Sequence, residues 1–392
     1  MTTTERKPQP THAELVDSAV NVQGLLRKRL TDSDIQRRQT DEVIDALTDA
    51  GFFRLQKPRR FGGYPVDLRT LLQITETLAE ADGSAAWIVG ISATGACAVN
   101  RGSERLQEEV FGADPDARLA GSGMAGPANR EQGGLRLNGR WGYASGSPHA
   151  TWAALAVAVT DDSGQPPEGY FCLVPTAQLQ LEDTWHTVGM RGTGSNTYAA
   201  ENLFVPEHRM IPATALSEGP TDSDEPVFRL PFAPFATIAL VGTLLGLGRA
   251  ALELTIDKAP TKAMHHTIFA RQSDSVAVQL QVAEAALKLQ TAQLHAYRAA
   301  DDLDNSATNG LDYGLRARVK AQFGYVAQQV LEAIHVLVNV HGAATFAQTN
   351  LMQQYWRDAN TAARHAGLNA AVGYEVFGKA LLGVPEQISP MV

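Results

Sequence analysis

The chain has 392 residues, with 42 acidic side chains against 33 basic ones and a net charge of −9. With no basic surplus it is not built to replace the counterions of a nucleic acid, and its two cysteines, Cys97 and Cys172, are too few for a disulfide scaffold or a zinc ribbon. A hydrophobic share of 44% and a charged share of 19% exclude extensive disorder and provide for a sizeable core.

Residues 1–10, MTTTERKPQP, read as a disordered tail. They hold no apolar h-region, so no secretory signal is expected and the default compartment is the cytoplasm. From His12 to about Gly112 the pattern is helical. Asp41–Leu47 puts Val43, Ile44 and Leu47 on one face, with Gly51 as a stop. The segment Phe61-Gly-Gly-Tyr-Pro-Val-Asp67 is turn-rich. Leu71 to Glu80 is helical again, and Asp82-Gly-Ser84 reads as a stop followed by a new N-cap. These features make a helical unit over 11–115.

Over 116–216 short apolar runs alternate with Gly, Pro, Asn and Asp. Ala153–Val159, Gly169–Val174 and Thr197–Val205 read as strands, and their spacing suggests a β sandwich or barrel. Residues 217–227 are acidic and polar, a linker. Over 228–392 the chain is helical. Val276, Leu280, Ala283 and Leu287 recur at spacings of 4, 3 and 4, as do Val319, Phe323, Val326 and Val330 at 4, 3 and 4. Both sets predict amphipathic helices with one buried face. Leu230 to Gly248 lacks charge and approaches the length of a membrane span. Pro231, Pro234 and the glycines 242, 246 and 248 instead favour a buried central helix. The fold class is therefore mostly α with a central β domain.

Most chemical motifs fail on their context. Gly246-Leu-Gly-Arg-Ala-Ala251 matches a dinucleotide fingerprint but lacks the strand before it and the βαβ unit after it; glycines that let helices pack closely explain it. Glu332-Ala-Ile-His335 is half of a di-iron motif whose other half is missing. His265 and His266 are adjacent, so on a helix they diverge. No metal is expected. There is no nucleophile elbow and no phosphate-binding P-loop.

One constellation survives. Met190-Arg-Gly-Thr-Gly-Ser-Asn196 lies between two strand-like runs. Gly192 and Gly194 allow close backbone approach, Thr193 and Ser195 offer hydroxyls, and Arg191 offers a cation. Such a loop holds a polar heterocycle or a phosphate; a tight hairpin without a ligand is the plain alternative.

The order helical, β, helical, with this loop late in the β zone, resembles the acyl-CoA dehydrogenase fold over roughly residues 16–383. Phe61-Gly-Gly63 and Ala81-Asp-Gly-Ser84 resemble its N-terminal signature; His341-Gly342 and Arg357-Asp-Ala359 resemble its C-terminal one. The resemblance implies a flavin between the β domain and the helices, a C-terminal four-helix bundle and a homo-oligomer, expected to be a tetramer. Dehydrogenases of this fold often carry a catalytic Glu nine residues after the Arg of Arg-Asp-Ala. Here that position is Ala366, which cannot abstract a proton.

Four features resemble instead the two-component flavin-dependent monooxygenases, including aromatic-polyketide hydroxylases: Gly189–Asn196, Ala85-Ala-Trp87 after Gly83-Ser84, Gly139-Arg-Trp-Gly-Tyr-Ala-Ser-Gly146, and His365. Phenol hydroxylases of the group often have a second histidine soon after the Trp, and Ile91–Cys97 has none, which argues against a simple phenol. The resemblance implies Ser145 as a hydrogen-bond partner of flavin N5. Thr193 and Ser195 would meet the ring edge or phosphate together with Arg191, and Arg271 would reach a pyrophosphate from a neighbouring subunit. His365 would polarise or deprotonate the substrate. Trp87, Trp141, Tyr143 and Ser92 are candidates for the substrate pocket, and plain core is the alternative for the aromatics.

The expected activity is oxygenation of an electron-rich aromatic such as an indole or polyketide ring, in natural-product biosynthesis. It would use O2 and reduced FAD through a C4a-hydroperoxide. FMN is the alternative flavin. The chain shows no second nucleotide domain, so a separate NAD(P)H-dependent reductase is implied. N-oxygenation of an amine or amino sugar, acyl-CoA dehydrogenation and a non-catalytic assembly role are the competing readings. No nucleic acid or membrane partner is expected.

Overall fold

Asp82 shows how local sequence sets up this architecture. Its carboxylate accepts the amides of Ser84 and Ala85 at 2.7 and 3.1 Å, which ends one helix and starts the next. The computed structural model describes residues 9–159, 167–217, 223–309, 311–385, 388–389 and 392. Most of the expected tail and the centre of the expected 217–227 linker lie outside them.

The N-terminal helices are α1 (His12–Gln36), α2 (Asp41–Asp49), α3 (Leu68–Ala79), α4 (Gly83–Val99) and the single turn α5 (Glu104–Gln107). Thr11, Thr40 and Asp67 cap the first three with side-chain oxygens. Val43, Ile44 and Leu47 are buried as their spacing requires, and Gly51, with φ +78°, turns the chain after α2.

Seven strands follow: β1 (Leu119–Glu131), β2 (Gly134–Ala144), β3 (Trp152–Val159), β4 (Glu168–Pro175), β5 (Gln180–Glu182), β6 (Asn196–Pro206) and β7 (Met210–Pro212). They form one sheet in the order β5-β6-β2-β1-β3-β4-β7. Only β1 and β3 pair in parallel. β1 and the first half of β2 escaped the strand reading because glycine and charge interrupt their alternation, whereas Gly139–Gly146 had been likened to a strand by resemblance. Trp141 belongs to the core of this sheet. Its ring is fully buried and its Nε1 donates to the Ala156 carbonyl at 2.7 Å, so it is not a pocket wall. Ser92 is likewise a joint: its hydroxyl accepts the Leu119 amide at 3.2 Å and fastens α4 to β1.

After the short α6 (Thr214–Ser217) come α7 (Phe232–Lys258), α8 (Val276–Asn309), α9 (Tyr313–His341), α10 (Leu351–Ala362) and α11 (Ala370–Leu382). α7, α8 and α9 pack on one another, α10 lies against α7 and α9, and α11 lies along α9. Among the described residues α7 alone is long and apolar enough to cross a membrane, and it is mostly buried in protein. Its glycines are packing sites, as their context predicts. A Cβ on Gly242 would sit 2.0 Å from Thr75 Oγ1, and one on Gly246 would sit 2.2 Å from the Glu76 carbonyl, so α7 and α3 cross with backbones nearly touching. Glu332 of the half di-iron motif is spent on Lys288, 2.7 Å away.

One helix face differs from expectation. Val319, Phe323, Val326 and Val330 are buried, but Val276, Leu280 and Leu287 are 63–67% exposed, and so is Leu294. α8 packs inward through Val278, Ala285, Leu289, Ala292 and Ala296 instead. The helix is apolar on two faces, and spacing alone cannot tell which one meets its own bundle.

Candidate functional site

Four elements converge on one place: the start of α4, the end of β2, the loop before β6, and the turn after α10. α4 carries Trp87, and Ser145 directly follows β2. The indole Nε1 donates to Ser145 Oγ at 3.1 Å. Ser145 Oγ lies 2.8 Å from Ser195 Oγ, which lies 2.7 Å from Thr193 Oγ1. Thr193 Oγ1 donates to the Met190 carbonyl at 2.7 Å. Four groups named from the sequence thus form one buried hydrogen-bonded chain. Main-chain bonds stitch the same elements together: Gly146 N donates to the Thr193 carbonyl at 2.8 Å, and Ser147 Oγ to the Gly194 carbonyl at 2.8 Å.

The loop is held from behind. Met190, at φ 51° and ψ 31°, is a non-glycine residue in the left-handed region. Its amide donates to Asp358 Oδ1 of α10 at 2.5 Å, and its carbonyl also accepts Trp185 Nε1 at 2.9 Å. Gln39 Nε2 bridges Asp82 at 3.1 Å and the Gly192 carbonyl at 3.4 Å. Arg357 donates to the Val188 carbonyl and pairs with Asp34, both at 2.8 Å. The loop glycines serve this packing rather than the approach of a ligand. A Cβ on Gly189 would meet the Arg357 carbonyl at 2.1 Å, one on Gly192 would meet Gln39 and Ser84, and one on Gly194 would meet Pro148 at 2.7 Å.

Several named residues stand elsewhere. The Arg191 guanidinium turns back to α1, with Nε 3.0 Å from the Asp34 carbonyl and 3.5 Å from its carboxylate. That acid neutralises the cation expected to face a ligand. Arg271 does not begin a helix; it caps a short 3₁₀ turn ahead of α8 and pairs with Asp274 at 2.9 Å on an exposed surface. Tyr143 is 69% exposed at φ 60°, its ring edge-on to Trp185 at 6.0 Å. It borders the site from outside and lines no enclosed wall.

His365 joins the constellation through Trp87, the ring centroids 5.7 Å apart and nearly perpendicular. Part of its surface is open to solvent, yet crowding by protein pushes its pKa below the ordinary histidine value. Its Nδ1 accepts the Gly367 amide at 3.2 Å. The neutral ring therefore carries its proton on Nε2, which has no protein partner among the described residues. This tautomer makes His365 a hydrogen-bond donor to a ligand rather than a base. Next to it, Ala366 confirms that no carboxylate stands at the dehydrogenase position.

The donor set can be tested against a flavin. The hydroxyls of Ser145, Ser195 and Thr193 and the Trp87 indole are all uncharged, and among the described residues no carboxylate bonds to these four side chains. A neutral polar ridge beside an aromatic ring suits the edge of an isoalloxazine, so the residues fit. Among the described residues no cluster of His, Cys, Asp or Glu could hold a metal.

Sequence reasoning missed Asp358, Trp185 and Gln39, which hold the loop. Asp358 stood only inside a signature; that its carboxylate is buried and aimed at Met190 is a tertiary fact. Burial raises its pKa to about 7, with Arg357 opposing. A raised carboxyl contributes stability that is complete below its unfolded value near 4 and is lost as pH rises toward 7. Asp358→Asn keeps an oxygen for Met190 and removes that loss. Relative to wild type it should gain about 1 kcal/mol per pH unit between pH 4 and 7. Asp358→Ala removes that loss as well but orphans the buried amide, so it should lie about 1–3 kcal/mol below Asp358→Asn at either pH. Urea denaturation at pH 5 and pH 7 checks both; equal loss in the two variants would contradict this role.

Comparisons with known proteins place the chain in a family. Models of the acyl-CoA dehydrogenase N-terminal and C-terminal domains match residues 11–113 and 238–370. The solved structure of XiaF from Streptomyces sp., in complex with FADH2 and glycerol, superposes with a TM-score of 0.94 at 35% identity, over 97% of this chain and 98% of that one. The oxygenase subunit HsaA, a flavin-dependent monooxygenase of Rhodococcus jostii, is 29% identical over 92% of this chain and 96% of its own. Indole-3-acetate monooxygenase of Pseudomonas putida is 33% identical over 70% of this chain and 69% of its own. The chain belongs to the two-component flavin-dependent monooxygenases of the acyl-CoA dehydrogenase fold, as an oxygenase component.

Proposed function

We propose that the enzyme hydroxylates an electron-rich aromatic ring, with indoles and polyketide rings as first candidates, in natural-product biosynthesis in the cytoplasm. The observation that carries this reading is the uncharged hydroxyl chain beside Trp87 and a neutral His365. FAD is preferred over FMN, supported by the FADH2 bound to XiaF. The reduced flavin, delivered by a separate NAD(P)H-dependent reductase, supplies when bound the two electrons that activate O2. One oxygen atom enters the substrate and the other leaves as water.

The chain's own residues do the rest. Ser145 would hold the hydrogen on flavin N5, and Ser195 and Thr193 would fix the Ser145 rotamer. Trp87 walls the site with its ring while its N–H is spent on Ser145. His365 Nε2–H would donate to an oxygen or carbonyl on the aromatic substrate and orient the ring for attack. Arg271, exposed on its own subunit, would reach a neighbouring subunit's pyrophosphate.

That last role needs a homo-oligomer, proposed to be a tetramer. Its support is the exposed stripe Val276, Leu280, Leu287 and Leu294, which repeats at 4, 7 and 7 along α8 and has the seam spacing of packed helices. Leu287→Glu should yield a smaller species in sedimentation velocity; an unchanged sedimentation coefficient would contradict this interface.

Mixing the anaerobic enzyme and reduced FAD with O2 tests the activity. A transient distinct from reduced and oxidised flavin is expected, followed by hydroxylated product when an indole is present. Direct reoxidation with no product from any aromatic would contradict the proposal, and consumption of an amine instead would point to N-oxygenation. His365→Ala should lower product formation about 10²-fold or more while flavin oxidation continues. His365→Gln, which keeps a donor, should recover part of it. Equal loss of product and flavin turnover in both variants would remove the donor role.

A further inference from the structure

The turn Ala366–Leu368, directly after His365, packs against α7 and α9. A Cβ on Gly367 would sit 3.0 Å from Thr237 Oγ1 and 3.3 Å from His365 Nδ1, so Thr237 and His365 flank the same glycine. Beside Thr237, α7 and α9 enclose a cleft lined by Ala233, Pro234, Arg316, Lys320, Phe323 and Val392. The Thr237 hydroxyl donates to the Ala233 carbonyl at 2.9 Å, so it separates His365 from the cleft without competing for a ligand.

Three features of the cleft favour an anion. Arg316 and Lys320 stand one turn apart on α9 and therefore share a face. Among the described residues Arg316 pairs with no Asp or Glu, and its Nε is buried without a partner. The acids near it in the chain are spent elsewhere: Asp302 pairs with Arg318 at 2.8 Å, and Asp312 accepts the Leu315 amide at 2.7 Å. Burial pushes the Lys320 ammonium below the usual lysine value, a shift that a bound anion would oppose. The first turn of α7 supplies Ala233 and Pro234, and no side chain caps this 27-residue helix, so the positive end of its dipole adds to the two cations. An acceptor oxygen already stands here, since Arg316 Nη1 donates to the Val392 carbonyl at 3.3 Å. A carboxylate would make a shorter and stronger bond to the same group.

We propose that this cleft binds a carboxylate on a side arm of the aromatic substrate, and that the enzyme acts on aromatic carboxylic acids. Arg316 meets the carboxylate with its planar fork, and Lys320 adds a point charge. The arm passes Thr237 while His365 Nε2–H holds the ring end, so the substrate is fixed at two points and one ring edge is presented for attack. The inference rests on the proposed hydroxylation of an aromatic ring beside Trp87 and His365.

Indole-3-acetate, indole-3-propionate, indole-3-butyrate and their primary amides are the probes. Each is equilibrated by anaerobic dialysis with the full-length enzyme carrying reduced FAD. The readout is the dissociation constant of the amide divided by that of its acid, so a general weakening of both cancels. For at least one arm length this ratio should reach about tenfold or more, the worth of a charge-assisted hydrogen bond. Arg316→Gln should bring it near unity and Lys320→Gln should lower it. Arg318→Gln removes the same charge one residue from each, outside the cleft, and should preserve it. Amides that bind as tightly as their acids at every arm length would overturn the carboxylate site and leave aromatic hydroxylation standing. A ratio that survives Arg316→Gln, or falls equally in Arg318→Gln, would do the same. Failure of the wild type to bind any acid or amide would contradict the aromatic reading itself, and this inference with it.

Discussion

The site depends on the main chain of Met190. Its amide is fixed by a buried carboxylate from α10, and its carbonyl takes donors from Trp185 and Thr193. The residue pays for this with a left-handed conformation that a non-glycine side chain adopts at a cost of about 1–2 kcal/mol. The strain is tolerated because three elements over-determine it. From that one carbonyl the direction of the whole hydroxyl chain follows, back through Thr193 and Ser195 to Ser145. α10 thereby reaches the loop of the β domain through Asp358 and its neighbour Arg357.

Two kinds of charge handling surround this centre. The acids Asp34, Asp82 and Asp358 lie behind the loop and are spent on Arg357, Arg191, Gln39 and main-chain amides. The front carries only hydroxyls, an indole and a neutral imidazole. Burial raises the pKa of Asp82 and Asp358 and lowers that of His365, so near neutral pH each shift moves its group toward the uncharged form. A neutral front with its hydroxyl chain buried suits a reactive oxygen species that must meet substrate before water.

Much of this was legible in the sequence. The helical–β–helical order, the helix start at Asp82–Ser84 and the buried α7 came from local patterns, and Thr193 and Ser195 from the glycine-rich loop, whereas Trp87, Ser145 and His365 were named through the resemblance to the flavin monooxygenases. What escaped was tertiary. Trp141 and Tyr143 lie two residues apart on one strand, yet one is core and the other is exposed, because the left-handed Tyr143 breaks the alternation of β2. Arg191 was read as a free cation because nothing local reveals that α1 ends beside it with Asp34. The α8 stripe was assigned to the bundle because periodicity identifies an apolar face without naming the surface that covers it. Asp358 was invisible as an anchor for the same reason: a buried acid and a surface acid look alike in sequence.

The central claim is that Ser145, in the buried hydroxyl chain with Trp87 and Ser195, would hold the hydrogen on flavin N5. The most direct measurement is a structure of the enzyme crystallised anaerobically with reduced FAD. The account predicts N5 about 3 Å from Ser145 Oγ, with the Trp87–Ser145–Ser195–Thr193 chain unchanged. A flavin ring seated away from Ser145, or an N5 that meets a main-chain amide in its place, would contradict it.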